Sequence, residues 1–318
     1  MKSIDIIVPC YNEEEVLPLF LEETEKVVST MEDCSFRYIF VDDGSKDRTL
    51  AVLRKLARSS EKVKYLSFSR NFGKEAALFA GLEHSTGDYV VVMDADLQHP
   101  PALLPKMVAS LAEGHDCCAA YRTERKGDGA LRRVFSHLFF RFSNRMTHTE
   151  LPYGAVDYRM MSRQMVEAVL CLKEEQRFSK GIFAWVGFDT EWIGYEDVER
   201  ACGTTKWSFS GLLRYAMTGI ISFSTLPLQI ISVMGVGISI LAFLYGIITV
   251  FQKLILGIDV PGYATLLCVL LLLGGIIELS IGIVGLYLSR VFAETKNRPI
   301  YLVKMSNLGE DYGFERDL

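Results

Sequence analysis

The sequence lacks the glycine-rich loops by which many proteins bind nucleotide phosphates. It contains no G-x-x-x-x-G-K-[ST] segment, and no G-x-G-x-x-G segment follows a predicted strand. These absences exclude the P-loop and Rossmann modes of binding, because both depend on backbone N–H groups that a glycine-rich turn brings close to the phosphates. A phosphate-containing ligand would therefore have to be held in another way.

A C-x-x-C pair and, in the first half of the chain, a Lys/Arg stripe with interleaved aromatics are also absent. The chain has seven cysteines among 318 residues and no C-x-x-C pair. This pattern favours reduced thiols facing the cytosol over a disulfide framework or a zinc site. The net charge is -5, so nucleic-acid binding is not expected. The first ten residues are too few and too strand-like for a signal peptide, so any membrane insertion is expected from later segments.

Two long apolar runs lie near the C-terminal end. Each of them, 226–252 and 263–289, exceeds the roughly 20 residues that a membrane-spanning helix requires. Basic residues precede the first run and follow the second: Arg200, Lys206, Arg214, Arg290, Lys296 and Arg298. By the positive-inside rule, we expect a multi-pass protein of the inner (plasma) membrane with both termini in the cytoplasm. A buried helical hairpin of a soluble protein is the alternative.

Other segments also bear on membrane association. Residues 131–145 form a basic amphipathic pattern and residues 207–225 have an interfacial composition, although the first segment also suits a helix packed on a sheet. Glu278 interrupts the second apolar run, and we expect it to contact a lipid head group, another subunit or a neighbouring helix. Gly235 and Ser239 form a small-x-x-x-small pair, which would permit a homo-oligomer.

The first 206 residues alternate between short apolar strands and helical segments. Strands are predicted at 4–8, 38–41, 63–68, 89–93 and 116–120. This alternation indicates an α/β fold with a mostly parallel sheet and helices on both faces. The first four strands run directly into polar segments, namely PCYNEEE, VDDGSKDRT, SRNFGKEA and MDADLQHPP. Because ligands of open α/β sheets bind at the carboxyl ends of the strands, we expect these segments to form one site.

The segment MDADLQHPP indicates a metal. Asp94 and Asp96 are spaced i, i+2, so on an extended strand end their side chains would point the same way. With Gln98 they offer hard oxygen ligands, which suit Mg²⁺ or Mn²⁺ rather than zinc. Because substrate phosphates commonly complete the coordination of Mg²⁺, the predicted ligand is a nucleoside diphosphate held through the metal.

Taken in order, these polar segments resemble the motifs of the family 2 glycosyltransferases, which have the GT-A fold. KGIFAWVGF, TTKWSF, FSTLPL and ETKNRPIYLV resemble the polyprenyl-phosphate glycosyltransferases, most closely the bactoprenol glucosyltransferase branch, which is similar to dolichyl-phosphate mannose synthase. The resemblance covers nearly the whole chain. It implies a cytosolic GT-A domain over 1–206, an interfacial helix over 207–225, two transmembrane helices over 226–291 and a cytosolic tail over 292–318.

The resemblance also implies roles for individual residues. Donor-binding residues would be Pro9, Tyr11, Glu13, Asp42, Arg70, Lys74 and Asp94. The metal would be held by Asp94, Asp96 and Gln98, and catalysis would involve Asp96 and Asp157. The acceptor phosphate would meet Arg122, Arg132, Ser136, Arg200 and Lys206. The alternatives are solvent-facing charge for Arg132, an ion pair for Arg200 and turn formation for Asp42.

The implied activity is inverting transfer of a sugar from a nucleotide-sugar donor, with UDP-glucose as the best match, to undecaprenyl phosphate. UDP-N-acetylhexosamine and GDP-mannose stay open as donors. The acceptor phosphate is largely ionised at neutral pH, so it needs alignment and charge compensation more than a base. We therefore predict that Asp157 orients the reactants or contacts the metal. The alternatives are a processive polysaccharide synthase, although no Q-x-x-R-W motif is present, and a membrane-anchored nucleotide-sugar-binding protein without activity.

Overall fold

The computed structural model describes residues 1–123, 152, 154–175, 177–196, 226–255 and 262–309. The chain divides into two compact units, the first formed by Met1–Gly219 with Pro299–Leu318 and the second by Ile220–Arg298. Several predicted features lie outside the described residues: Arg132, Ser136, Arg200, Lys206, the amphipathic segment 131–145 and the helix expected over 207–225.

An eight-stranded sheet forms the centre of the first unit. Its strands are β1 (Lys2–Cys10), β2 (Cys34–Asp42), β3 (Val63–Phe68), β4 (Tyr89–Val92), β5 (Cys117–Arg122), β6 (Ala155–Ser162), β7 (Thr190–Tyr195) and β8 (Val303–Ser306). Their order is β7-β5-β6-β4-β1-β2-β3-β8. Neighbouring strands from β4 to β3 are parallel, as are β5 and β7, whereas β6 is antiparallel to β4 and β5, and β8 to β3. The predicted mostly parallel sheet is confirmed.

Helices cover both faces of the sheet, as predicted. They are α1 (Val16–Val28), α2 (Thr49–Ser59), α3 (Lys74–Glu83), α4 (Leu104–Ala112), α5 (Arg163–Cys171) and α6 (Ser179–Trp185). Because alternate residues of a strand point to opposite faces, β2 contributes Tyr38 and Phe40 to one apolar core and Ile39 and Val41 to the other. The first core includes residues of α1, α2 and α4, and the second includes the alanines of α3.

The strand register places the carboxyl ends of the central strands side by side. Cys10, the last residue of β1, pairs with Asp42 at the end of β2, which in turn pairs with Ser67 near the end of β3. Val92, the last residue of β4, pairs with Ile7 of β1. The polar segments that follow these strands therefore converge at one edge of the sheet.

The structure differs from expectation at two places. The assumption that Asp94 and Asp96 continue an extended strand is wrong, because β4 ends at Val92 and Asp96 lies in a turn. The next residue, Leu97, has a φ of 59°, which lies in the left-handed region and is incompatible with an extended strand. Within the expected tail, β8 forms a further strand of the sheet, paired with β3.

The second unit consists of two long apolar helices, α7 (Leu226–Leu254) and α8 (Tyr263–Thr295), which contact each other. By length and composition, Pro227–Thr249 and Cys268–Thr295 are long and apolar enough to cross a membrane. Among the described residues, 0% of the apolar window of either helix is buried inside the chain. Glu278 is exposed on α8.

Candidate functional site

The loop after β1 is hydrogen-bonded to the loop after β2. Asn12, which has a φ of 54°, accepts a hydrogen bond from the Lys46 amide through its Oδ1 atom at 2.9 Å. The amide of Asn12 donates to Ser45 Oγ at 2.9 Å, and that of Glu13 donates to Thr49 Oγ1 at 2.9 Å. These bonds place the predicted donor-binding residues of both loops next to each other.

Asp42, at the end of β2, is buried and bonded on both carboxylate oxygens. Its Oδ2 accepts from Ser67 Oγ at 2.7 Å, and its Oδ1 accepts from the Ser45 amide at 3.0 Å. The carboxylate thus shapes the turn after β2 and joins it to β3. The donor-binding role of Asp42 stays a prediction.

Lys74, the first residue of α3, brings two carboxylates together. Its Nζ lies 2.6 Å from Asp94 Oδ1 and 3.0 Å from Asp157 Oδ2. Asp157 lies in β6, and the antiparallel pairing of β6 with β4 carries it beside the turn that follows β4. The side chains of Lys74, Asp94 and Asp157 are 39%, 27% and 17% exposed, so a ligand can reach them from solvent.

Lys74, Asp94 and Asp157 stabilise one another in their charged forms. Burial opposes the ionisation of both carboxyls, but Lys74 outweighs it and holds the pKa of Asp94 below its usual value. At Asp157 burial is again opposed by Lys74, here together with Lys180, and the pKa lies well below its usual range. Desolvation opposes the charge of Lys74, yet the two carboxylates raise its pKa. At neutral pH an ammonium therefore lies between two carboxylates.

The turn after β4 also contacts the end of β5. The Gln98 amide donates to Asp96 Oδ1 at 3.2 Å, which closes the turn. Gln98 Oε1 accepts from Arg122 Nη2 at 3.3 Å, and Arg122 Nε donates to Tyr195 Oη at 3.2 Å. A predicted metal ligand and a predicted acceptor-binding residue are thus in contact.

His99 was given no role by the sequence, yet it supports this turn. It is 2% exposed, its Nδ1 accepts from the Asp94 amide at 3.1 Å, and its ring stacks on Tyr158 with centroids 5.1 Å apart. Burial lowers the pKa of His99. Tyr158 donates to the carbonyl of Pro100 at 3.2 Å. The sequence could have indicated a role for His99 only through its position three residues after Asp96. Its stacking partner Tyr158 lies on β6 and is revealed only by the fold.

The oxygen atoms of the turn after β4 suit a divalent cation whose coordination is completed by a bound ligand. Among the described residues, no group of three His, Cys, Asp or Glu side chains is placed to hold a metal ion. Asp94, Asp96 and Gln98 nevertheless offer hard oxygen atoms on one turn, all partly exposed. The contact with Lys74 shows that Asp94 already attracts a cation. The chemistry of these oxygen atoms fits Mg²⁺ or Mn²⁺.

Comparison with known proteins identifies the family. Residues 5–170 match the family model described as Glycosyl transferase family 2. CsbB of Bacillus subtilis (strain 168), named as a glycosyltransferase, is 46% identical over 305 residues, which are 96% of this chain and 92% of that protein. The SfII prophage-derived bactoprenol glucosyl transferase of Shigella flexneri is 39% identical over 307 residues, 96% of this chain and 99% of that protein.

A solved structure, glucosyl-3-phosphoglycerate synthase from Mycobacterium tuberculosis, has a TM-score of 0.45 at 21% identity over 69% of this chain and 78% of that chain. That likeness is too distant to inform the site. The mostly parallel sheet with helices on both faces agrees with the GT-A fold expected from the sequence. The family model covers just over half of the chain, and the relatives cover nearly all of it. The chain therefore belongs to glycosyl transferase family 2, and it is an inverting glycosyltransferase.

Proposed function

We propose that the protein transfers glucose from UDP-glucose to undecaprenyl phosphate at the cytoplasmic face of the inner (plasma) membrane. The product would be a lipid-linked glucose for the modification of cell-envelope glycans. The observation that carries this proposal is the extent of the similarity to the bactoprenol glucosyl transferase of Shigella flexneri. It spans 96% of this chain, so it includes the two apolar helices as well as the sheet.

The geometry supports a donor site at the carboxyl ends of the central strands. Pro9, Tyr11, Glu13 and Asp42 lie at or just after the ends of β1 and β2, where they would contact the nucleoside. Arg70 and Lys74 flank the same edge and would neutralise phosphate charge. Asp94, Asp96 and Gln98 would hold Mg²⁺ or Mn²⁺, which when bound stabilises the leaving nucleoside diphosphate.

The proposed role of Asp157 is to orient rather than to remove a proton. Its pKa lies well below the usual range because Lys74 and Lys180 outweigh the effect of burial. A carboxylate with a lowered pKa is a weak base, and an ionised acceptor phosphate needs little help from a base. Arg122 would meet the acceptor phosphate beside Gln98. The same role for Arg132, Ser136, Arg200 and Lys206 stays a prediction.

The two long helices are proposed to cross the membrane. Among the described residues, most apolar side chains of these helices are exposed, unlike those of a core helix in a soluble protein. The chain leaves the first unit before α7 and returns to it after α8, since β8 belongs to the central sheet. Two crossings return a chain to its starting side, so this connectivity supports one and the same side for both termini and the catalytic unit. The basic residues that flank the two apolar runs favour the cytoplasmic side. A homo-oligomer stays a prediction.

A transfer assay with the full chain in lipid nanodiscs tests the proposal. Labelled UDP-glucose, undecaprenyl phosphate and Mg²⁺ or Mn²⁺ should give one β-linked glucose per lipid, and no product should form without the lipid. Asp94→Asn should abolish the product. A growing polymer would instead indicate a processive synthase, and binding of UDP-glucose without transfer would indicate an inactive binding protein. Transfer from UDP-N-acetylglucosamine or GDP-mannose but not from UDP-glucose would overturn the proposed donor.

A further inference from the structure

Lys180 is a cation beside the candidate site for which the sequence indicates no role. It is the second residue of α6 and is partly exposed. Its Nζ donates a hydrogen bond to the carbonyl of Ala155, the first residue of β6, at 3.0 Å. An ammonium group carries three donor hydrogens, and Ala155 is the only acceptor that Lys180 has among the described residues. Two donor hydrogens therefore remain for a ligand or for water.

Helix α6 is packed so that Lys180 faces the strand that carries Asp157. Phe183 comes three residues after Lys180, so the two side chains lie on the same side of the helix. The centroid of the Phe183 ring lies 4.1 Å from the guanidinium carbon of Arg159, which is buried on β6. Asp157 and Arg159 are two residues apart on this strand, and their side chains share one face of the sheet. Lys180 therefore faces the side of β6 on which Asp157 lies.

The start of α6 is also bonded to the start of α3. Glu75 follows Lys74 in α3, and its Oε2 accepts hydrogen bonds from the amide of Ser179, at 2.9 Å, and from the hydroxyl of Ser179. Ser179 directly precedes Lys180. The first turn of α3 thus brings Lys74 to Asp157 and, through Glu75, positions the residue next to Lys180. The two ammonium groups are therefore positioned by the same turn.

The charge of Lys180 has no close counterion in the part of the chain that the structure describes. Asp157 forms its ion pair with Lys74 and not with Lys180. Burial lowers the pKa of Lys180, and the charges of Lys74 and Arg159 add to this effect. The charges of Asp157 and Glu75 oppose it. A desolvated cation without a close counterion costs free energy, and a bound anion would offset part of this cost.

The position of Lys180 favours the phosphate of the acceptor over the diphosphate of the donor. Ala155 follows Gly154, whose carbonyl accepts a hydrogen bond from the amide of Arg122 at 3.1 Å. A Cβ atom added to Gly154 would lie 2.5 Å from the carbonyl oxygen of Arg122, so the two backbones are in contact. Lys180 and Arg122 are thus bonded to adjacent residues where β6 begins. The residues proposed to meet the donor diphosphate follow β3 and β4 instead.

We infer that Lys180 contacts the phosphate of the lipid acceptor through the donor hydrogens that Ala155 leaves unused, and that it aligns this phosphate beside Asp157. The inference rests on the proposed function, because it requires a phosphate monoester as the acceptor. In the transfer, an acceptor oxygen forms a bond to the anomeric carbon while the bond from this carbon to UDP breaks, and UDP leaves with the electron pair. Lys180 gives and takes no proton in this step. Its charge offsets that of the attacking phosphate.

Initial rates of the full chain in lipid nanodiscs, with UDP-glucose and Mg²⁺ saturating and undecaprenyl phosphate varied, test this inference. Lys180→Met should raise the KM for undecaprenyl phosphate by about tenfold, as expected for the loss of a charge-assisted hydrogen bond. The Kd for UDP-glucose should stay unchanged, as measured by calorimetric titration without the acceptor. A rise in KM without a change in this Kd would place Lys180 at the acceptor.

Two further variants separate the charge of Lys180 from its bond to Ala155. Lys180→Gln keeps a donor for the carbonyl of Ala155 but has no charge, whereas Lys180→Arg keeps both. Lys180→Gln should raise the KM for undecaprenyl phosphate as Lys180→Met does, and Lys180→Arg should keep it close to the wild-type value. Lys173→Met removes an exposed lysine ahead of α6 and should change neither constant. If Lys180→Met does not fold, the glutamine and arginine variants still decide.

Two results would overturn the contact with the acceptor. One is a KM for undecaprenyl phosphate that stays unchanged in Lys180→Gln, because Lys180 would then only support the start of β6. The other is a weaker affinity for UDP-glucose in Lys180→Gln with an unchanged KM for the lipid, because Lys180 would then contact the donor. Failure of the wild-type protein to transfer glucose to undecaprenyl phosphate would instead overturn the proposed function.

Discussion

Lys74 Nζ lies 2.6 Å from Asp94 Oδ1, a contact that joins the first turn of α3 to the turn after β4. The same ammonium is 3.0 Å from Asp157, so one cation contacts a carboxylate in the turn after β4 and another on the neighbouring strand β6. Asp94 is also a proposed metal ligand. If Asp94 holds the metal as proposed, the ammonium and a divalent cation would compete for the carboxylate of Asp94, and Lys74 would have to turn away from it when the metal binds.

We expect Lys74→Met to raise the affinity of the donor-free protein for Mn²⁺ by about tenfold, because the variant leaves two adjacent carboxylates without their cation. The kcat of transfer should fall by roughly a hundredfold, since the diphosphate loses a positive charge in the transition state. Electron paramagnetic resonance of Mn²⁺ measures the first effect without any substrate. Lys74→Arg keeps the charge and should retain weak Mn²⁺ binding. Unchanged Mn²⁺ affinity in Lys74→Met would show that no competition exists.

We expect Asp157→Asn to lower kcat by about ten- to a hundredfold while the shape of the pH–rate profile stays the same. The reason is that the pKa of Asp157 already lies well below its usual range, since Lys74 and Lys180 outweigh the effect of burial. Steady-state rates between pH 5 and pH 9 would show this. Disappearance of an acidic limb from the profile would identify Asp157 as a base and contradict the orienting role.

Gly44→Ala should destabilise the protein by more than the roughly 1–3 kcal/mol typical of backbone strain at positive φ. The added Cβ would also collide with the backbone of Arg70 at 2.3 Å. Gly114 provides the control, because its φ is 110° but no heavy atom lies within 4 Å of an added Cβ. Thermal unfolding should show a larger loss for Gly44→Ala than for Gly114→Ala. Equal losses would mean that the loop after β3 moves aside without cost.

The central strands could be predicted from sequence because each is a short apolar run that ends in a polar segment. The registers of β1 with β2 and β4 and of β2 with β3 bring those segments to the same end of the sheet, where Lys74 meets Asp94. The contact of Lys74 with Asp157 could not be predicted from the sequence in this way. It depends on β6 lying antiparallel to β4, and no local pattern encodes which strand becomes the neighbour of β4.

Two other features were hidden from the sequence for physical reasons. The turn at Asp96 and Leu97 depends on support by His99, whose partner Tyr158 is distant along the chain. Asp43, which follows β2, accepts hydrogen bonds from backbone amides of the loop between β3 and α3, and these bonds involve no recognisable side-chain pattern. Residues that act through backbone contacts leave no spacing that a sequence can reveal.

Removal of divalent metal should abolish transfer without unfolding the protein. The turn that carries Asp94 and Asp96 is held by His99, by the Gln98 amide and by Lys74, which are all groups of the protein itself. A chelator should therefore leave the melting temperature unchanged and weaken the binding of UDP-glucose, since the metal would bridge the donor to these carboxylates. Mg²⁺ or Mn²⁺ added back in excess should restore activity. Full transfer in the presence of the chelator would refute a metal-dependent mechanism, whereas a large fall in melting temperature would indicate a structural metal instead.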